Sequence, residues 1–358
     1  MKELLKKIPV PFKGEIIDRK ENCKICGEKK GMQIGRVDYW DITSSNLIKC
    51  TLCRLVQLDP MLTEEETAKG CLAYYIEESL RVTKESQGKD LVRNFRRGVL
   101  FASSLKRKDF HPKEILELGP GSGYFSEGIK FIYPDVNVTV MDVNNEVLAF
   151  NKQQHGFATV QSTPEKYISN LENKFDLIVA RDILEHVTDV AEVIQHANKY
   201  LKANGLFHFI TPNGHEDVWK HYLTFNHRNK NSELLINHVN YFDGKGLLDL
   251  LARNQFSPVE YYTYNFKTTR RGRGWKVSPK QMAPLSTKKS SDFYIKNEIS
   301  KVREIHFDKK EVLNKWYIQN KIKFITRLMS WYHHSQFIRL SPELNVGHEI
   351  YGLFKKIK

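Results

Sequence analysis

Long apolar runs are missing from this 358-residue chain. No stretch approaches the ~18 consecutive apolar residues that a membrane-crossing helix needs. The first residues, MKELLKKIPVPF, lack the apolar centre of a secretory leader. Both absences point to a cytoplasmic protein, whose thiols stay reduced. Cysteine is scarce, five in all, and four of the five fall in two CxxC pairs. Acid is what the last quarter lacks. Residues 266–358 hold 21 Lys+Arg against 7 Asp+Glu, whereas residues 1–265 are balanced at 35 each. The net charge of +14 therefore originates at one end. What remains is ordinary: 41% hydrophobic residues suffice for a core, and 27% charged residues suit a soluble protein. The length allows one domain plus additions.

The dinucleotide spacing Gly-x-Gly-x-x-Gly is also absent from the one glycine-rich turn that follows a strand. That stretch is Glu114–Phe125, EILELGPGSGYF. Ile115, Leu116 and Leu118 read as a short buried strand, Gly119, Gly121 and Gly123 as a turn, and Tyr124–Phe131 as a helix. A strand, glycine turn and helix form the first unit of a doubly wound α/β sheet, and ligands bind at that turn. Glu117 at the strand end would repel a phosphate and suits a cationic ligand without one. S-adenosylmethionine, with a sulfonium and an ammonium group, is such a ligand. Val138–Met141 reads as a second strand ending in Asp142 and Val143, where an acid would take ribose hydroxyls. Phe175–Ala180 and Leu206–Ile210 are further apolar strands. Lys199–Asn204 reads as the end of a helix stopped by Gly205.

The series ELGPGSG, VMDVN, FDLIVARDILEHV and YLKANGLFHFITPNG resembles the class I S-adenosylmethionine-dependent methyltransferases over roughly Lys113–Phe266. The resemblance implies a Rossmann-like, doubly wound seven-stranded sheet whose last strand is antiparallel. Val259–Phe266 would be the sixth strand and Gly347–Lys356 the seventh, paired as a hairpin. It implies a cofactor set of Glu117, Gly119, Gly121, Gly123, Asp142, Val143, Ser162, Thr163 and Arg181. Ser162 and Thr163 lie on the turn that faces adenine in this fold. Thr163-Pro164 equally fits the start of a helix.

Cys23-x-x-Cys26 and Cys50-x-x-Cys53 have the spacing of a four-cysteine zinc site. Four thiolates close the coordination sphere, so the metal would be structural. A cytosolic disulfide pair is the competing reading. Cys71 is left over. The order of ribbon, C-x-x-C-R-L-V-Q-L-x-P stretch and methyltransferase core resembles a subgroup that methylates sugars and other small metabolites. The expected division is a zinc-ribbon lobe at 1–62, a helical linker at 63–112, the core at 113–266, a basic helical insertion at 267–345, and a closing strand at 346–358. Thr63 and Glu66 form a helix-starting pair, and Leu91–Leu105 repeats apolar residues at helical period. Tyr74 and Tyr75 face the substrate in the subgroup, or pack on the sheet.

The strand end Ala-Arg-Asp-Ile lacks the Asn/Asp-Pro-Pro-Tyr/Phe of nucleobase amino methyltransferases, and the core has no Pro-Cys nucleophile. Glu185-His186 resembles the LxH segment of the sugar-modifying subgroup, where the histidine faces substrate; packing is the alternative role. His238 opens a segment similar to the family's H-x-x-x-F. Either histidine could take a proton from an acceptor, His186 first and His238 second. The subgroup's C-methylating members carry Tyr-x-Glu-His here, but this chain reads Leu235-Ile236-Asn237-His238, which favours a hydroxyl acceptor. Residues 215–237 read as a substrate lid, with His215, His221 and His227 outside any metal spacing. The expected function is methyl transfer to a small hydroxylated acceptor, a sugar or glycosylated metabolite. The alternative is an RNA methyltransferase gripping nucleic acid with the ribbon and the basic, aromatic insertion, which includes Arg270–Gly274 and helices over Asp292–Trp316 and Asn320–Phe337. The same insertion could touch an anionic membrane surface.

Overall fold

A computed structural model of the chain describes residues 14–39, 43–63, 65–67, 69–70, 84–214, 217–218, 234–235, 238–264, 266–267, 306–314, 334–335, 339, 341 and 347–357. Cys71, Tyr74, Tyr75, His215, His221, His227, the loop Arg270–Gly274 and most of the two basic helical spans lie outside the described residues.

Strands β1 (Glu15–Asp18), β2 (Lys30–Tyr39), β3 (Thr43–Cys50) and β4 (Val56–Asp59) form an antiparallel meander around the cysteine pairs. Helix α1 (Lys84–Arg107) follows, the helix expected around Leu91–Leu105. The core then alternates β5 (Glu114–Leu118), α2 (Tyr124–Ile132), β6 (Asn137–Asp142), α3 (Asn145–His155), β7 (Ala158–Gln161), β8 (Phe175–Arg181), α4 (Val190–Tyr200) and β9 (Leu201–Pro212). Short strands β10 (Leu234–Leu235) and β11 (Asn240–Tyr241) lead to α5 (Gly244–Arg253) and β12 (Phe256–Tyr264). β13 (Phe266–Lys267) pairs with β14 (His334–Ser335), and β15 (Glu349–Lys356) closes the core.

The main sheet has the order β12-β15-β9-β8-β5-β6-β7. Its central strands pair in parallel, and β15 runs antiparallel between β12 and β9. The hairpin of sixth and seventh strands expected from Val259–Phe266 and Gly347–Lys356 is therefore present, as β12 with β15. β8 is apolar without alternation because helices cover both of its faces, and Leu177, Ile178, Val179 and Ala180 are all buried. Phe207, Phe209, Phe256 and Phe354 fill the space between β9, β15 and β12, each buried ring contributing roughly 1.5–3 kcal/mol. Among the described residues no helix is long and apolar enough to cross a membrane.

Two local expectations fail. α4 ends at Tyr200, and β9 starts at once at Leu201, so Lys199–Asn204 is not a helix end stopped by Gly205. Asn204 takes the left-handed turn (φ 66°), and Leu201 pairs with Phe175, so sheet pairing overrides the local signal there. Thr163-Pro164 starts no helix; Lys166 N–H closes a single turn on the Thr163 carbonyl at 3.2 Å. The Thr63–Glu66 pair does form, with Thr63 N–H donating to Glu66 Oε2 at 2.8 Å and Glu66 N–H to Thr63 Oγ1 at 3.2 Å.

The four-cysteine meander is not free-standing. β11 of the core pairs antiparallel with β4, and β10 pairs in parallel with β2. Cys23, Ile25, Cys50, Cys53 and Leu55 share one apolar cluster with Leu184, Val187, Phe242 and Leu247.

Candidate active site

Register brings the carboxyl ends of the parallel strands level: Leu118 lies beside Met141 and Ala180, and Arg181 beside Ile210. The crevice beyond these ends is where α/β sheets bind ligands. Its first wall is the glycine turn. Gly119, Gly121 and Gly123 all have positive φ, at 59°, 52° and 71°. A Cβ on Gly119 would strike Ile183, and one on Gly123 would strike Asn151, but one on Gly121 would stand in open space. Gly121 thus borders open space at the strand end. Asn151 of α3 holds the turn by donating to the Gly121 carbonyl at 2.9 Å, and the His155 ring bonds the Ser122 carbonyl at 2.9 Å.

Glu117 is buried below the turn, and its Oε2 has no hydrogen-bond partner. Burial pushes its carboxyl up to about 7, against the pull of Ser126 and the Arg181 guanidinium. Arg181 lies over the Phe125 ring at 4.2 Å, with its Nε buried and unpartnered. Burial also lowers the Arg181 pKa. Asp142 ends β6; its Oδ1 accepts the Asn144 N–H at 2.9 Å, and burial raises its pKa. The Asp142 carbonyl receives the Ser162 N–H at 3.1 Å, which sets the 162–163 turn beside it. Val143 is exposed next to it. The structure thus gathers Glu117, the three glycines, Asp142, Val143, Ser162, Thr163 and Arg181 at one edge of the sheet. The unpartnered carboxylate oxygen and the open space at Gly121 fit a cationic cofactor such as S-adenosylmethionine.

The second wall is the turn after β8. Asp182 takes a left-handed conformation (φ 54°) and donates its N–H to the Ile210 carbonyl at 2.8 Å. Ile183 covers Gly119, so this turn touches the glycine turn directly. His186 N–H closes it on the Ile183 carbonyl at 2.9 Å. Glu185 points inward, its Oε2 accepting from Thr211 Oγ1 at 2.9 Å, and burial pushes it up to about 8. The Glu185 carbonyl accepts from the N–H groups of Val239 and Asn240 at 2.9 and 3.1 Å. This pair of bonds brings His238, far away in sequence, to His186. The two rings meet edge to face with centroids 5.0 Å apart.

His186 is exposed and His238 half-buried. His238 Nδ1 lies 2.7 Å from Asp217 Oδ2. Burial disfavours charge on His238, but the hydrogen bond and charge of Asp217, with Glu185 and Asp182 nearby, outweigh it and raise its pKa. A carboxylate on Nδ1 fixes the tautomer and leaves Nε2 to accept a proton. Asp217 carries no sequence motif of its own, and only its contact with His238 singles it out. One ligand atom from each of Glu185, His186 and His238 lies within 4.8 Å of the others, close enough to hold a cation.

The four cysteines also converge. Their sulfurs all lie within 4.8 Å of one another, with Cys23–Cys53 and Cys26–Cys50 each at 3.4 Å. Four thiols from two turns, facing one point, fit a tetrahedral metal. Helix α5 packs on the second turn, where a Cβ on Gly246 would collide with the Cys53 carbonyl.

Residues 88–261 match a family model described as "Methyltransferase domain". The chain is 30% identical over 116 residues to a ubiquinone biosynthesis O-methyltransferase of Histophilus somni, covering 30% of this chain and 48% of that protein. It is 25% identical over 103 residues to a malonyl-[acyl-carrier protein] O-methyltransferase of Legionella pneumophila, covering 28% of this chain and 36% of that protein. The chain thus spans about half or less of the length of these relatives. Among solved structures it resembles the plantazolicin methyltransferase BpumL in complex with SAH at 14% identity and a TM-score of 0.43, covering 82% of this chain and 97% of that one. Residues 88–261, just under half of the chain, are therefore similar to a methyltransferase domain, and the curated relatives are O-methyltransferases.

Proposed function

We propose that this chain is a class I S-adenosylmethionine-dependent methyltransferase that methylates a hydroxyl of a small acceptor, a sugar or a glycosylated metabolite. The observation that supports the proposal most is the close approach of Ile183, three residues before His186, to Gly119. The bound cofactor supplies an electrophilic methyl group on a sulfonium. Glu117 would face its cationic end, Gly121 would leave room for it, and Asp142 would take the ribose hydroxyls. Ser162, Thr163 and Val143 would border the adenine, and Arg181 would close the floor. His238 Nε2 would accept the proton that the acceptor hydroxyl loses as its oxygen takes the methyl group. Positioning supplies much of the acceleration, and the base adds typically about 10²–10⁴-fold. The Asp217 contact ranks His238 above His186 as that base, and His186 lines the acceptor side. The O-methyltransferase names of the relatives agree with a hydroxyl acceptor.

A second reading of acceptor activation rests on the closeness of Glu185, His186 and His238. A divalent cation held there would acidify the acceptor hydroxyl directly. Cys23, Cys26, Cys50 and Cys53 would hold a separate, structural zinc ion.

Methyl-labelled S-adenosylmethionine, incubated with a panel of hydroxylated sugars and glycosides, tests the function. The expected result is label in an alkali-stable ether of one acceptor class, abolished in His238→Gln. Label on carbon or nitrogen, or none from any acceptor, overturns it. Turnover insensitive to EDTA supports the base, and turnover restored by added Mg²⁺ or Zn²⁺ after EDTA supports the cation.

A further inference from the structure

A buried chain of side-chain amides links the four-cysteine sheet to the candidate catalytic histidines. Gln57 on β4 and Asn240 on β11 face each other in register, and both are 1% exposed. Gln57 Nε2 donates to Asn240 Oδ1 at 2.9 Å. Asn240 Nδ2 donates onward to the carbonyls of Val187 at 2.6 Å and Leu184 at 3.3 Å. Those carbonyls flank Glu185 and His186. The backbone of the same strand binds the Glu185 carbonyl, two residues after His238. On the other side, Gln57 Oε1 accepts from Arg19 Nη2 at 3.1 Å. The neighbouring Asp59 accepts the N–H groups of Lys20 and Glu21 at 2.9 and 3.1 Å, just ahead of Cys23.

Each amide in this chain is bonded on both sides, while Arg19 Nη1 at its far end is buried without a partner. Asn240 spends its one acceptor on the ribbon and both donors on the histidine turn, so the turn can shift only if the ribbon contact breaks. A purely packing interface would need apolar side chains here, because buried amides are costly unless fully paired.

We propose that Gln57 and Asn240 are positioning residues through which the four-cysteine sheet sets the geometry of His238 and the Glu185–His186 turn. The inference rests on the reading of His238 as the base. It gives the ribbon a role in the chemistry without contact to substrate.

The test follows the imidazole resonances of His186 and His238 by NMR at one fixed pH in the full chain with bound S-adenosylhomocysteine, assigned with His238→Gln. Gln57→Leu keeps the side chain's size and removes its donor. The expected result is loss of the ring-to-ring Overhauser contact between His186 and His238, whose centroids lie 5.0 Å apart, with S-adenosylhomocysteine affinity within about twofold by calorimetry. An unchanged contact and unchanged imidazole shifts in a ligand-binding Gln57→Leu protein overturn the proposal. If Gln57→Leu fails to bind the ligand, Gln57→Glu decides: it keeps the acceptor for Arg19 and removes the donor to Asn240, and unchanged resonances again overturn the inference. If His238→Gln retains full methyl transfer, the base reading falls alone, because the Gln57 comparison of the His186 resonances still decides the positioning.

Discussion

Glu117, one residue before the end of β5, has a carboxyl that burial holds at about 7, well above its ordinary value. Between that ordinary value, ~4.3, and 7, the folded chain keeps a proton that the unfolded chain has lost, so stability falls as pH rises through this window. Glu185, pushed up to about 8, extends the window upward. A cationic cofactor reverses the balance at Glu117, because it favours the carboxylate. S-adenosylmethionine binding should therefore release about half a proton per chain near pH 7 and tighten as pH rises. Calorimetry in buffers of different ionisation enthalpy measures this release, and Glu117→Gln should abolish it. His238 carries the opposite sign. Its raised pKa contributes stability below the ordinary histidine value of ~6.5, and that contribution is lost as pH rises through the folded value. Turnover should do the reverse, climbing tenfold per pH unit to a plateau above ~6.5, because only neutral imidazole accepts the proton. Asp217→Asn should move that limb to lower pH and lower the plateau. A limb that does not move would show that another group is titrating.

The glycine turn depends on α3 as much as on its own residues. Asn151 fills the space beneath Gly123 and ties down the Gly121 carbonyl. Asn151→Leu should weaken S-adenosylhomocysteine binding by about tenfold, or ~1.4 kcal/mol, with the fold intact. Calorimetry together with an unchanged far-ultraviolet spectrum checks both halves. At this scale much was legible in advance. FDLIVA read as an apolar strand and is one, and the glycines after EILEL read as a turn and form one. Gly205 and Thr163-Pro164 misled because stop and cap signals describe an isolated helix: β9 begins pairing with β8 at Leu201, and Thr163 closes only a turn after β7. Asp217, Thr211, Gln57 and Asn240 had no local signal, since their importance lies in contacts between segments up to 183 residues apart.

Across the whole molecule, two sheets meet at the residues following His238. The four-cysteine sheet was readable from spacing alone, but its union with the core was not, because β11 is two residues long and polar at one of them. The purified chain should carry about one zinc ion. Cys23→Ser should lose it and lower the melting temperature, because metal binding adds to the folding free energy of a small sheet. Cofactor affinity should persist, since the glycine turn and Asp142 lie on the main sheet. Metal-free protein with four freely titrating thiols would contradict the site. The central claim, that the crevice beyond β5 and β6 binds S-adenosylmethionine, is tested most directly by calorimetric titration of S-adenosylhomocysteine into the parent chain, Gly121→Val and Asp142→Ala. The account predicts one site per parent chain and a loss of affinity of about tenfold or more in each variant. No binding by the parent, or equal affinity in all three folded proteins, would contradict it.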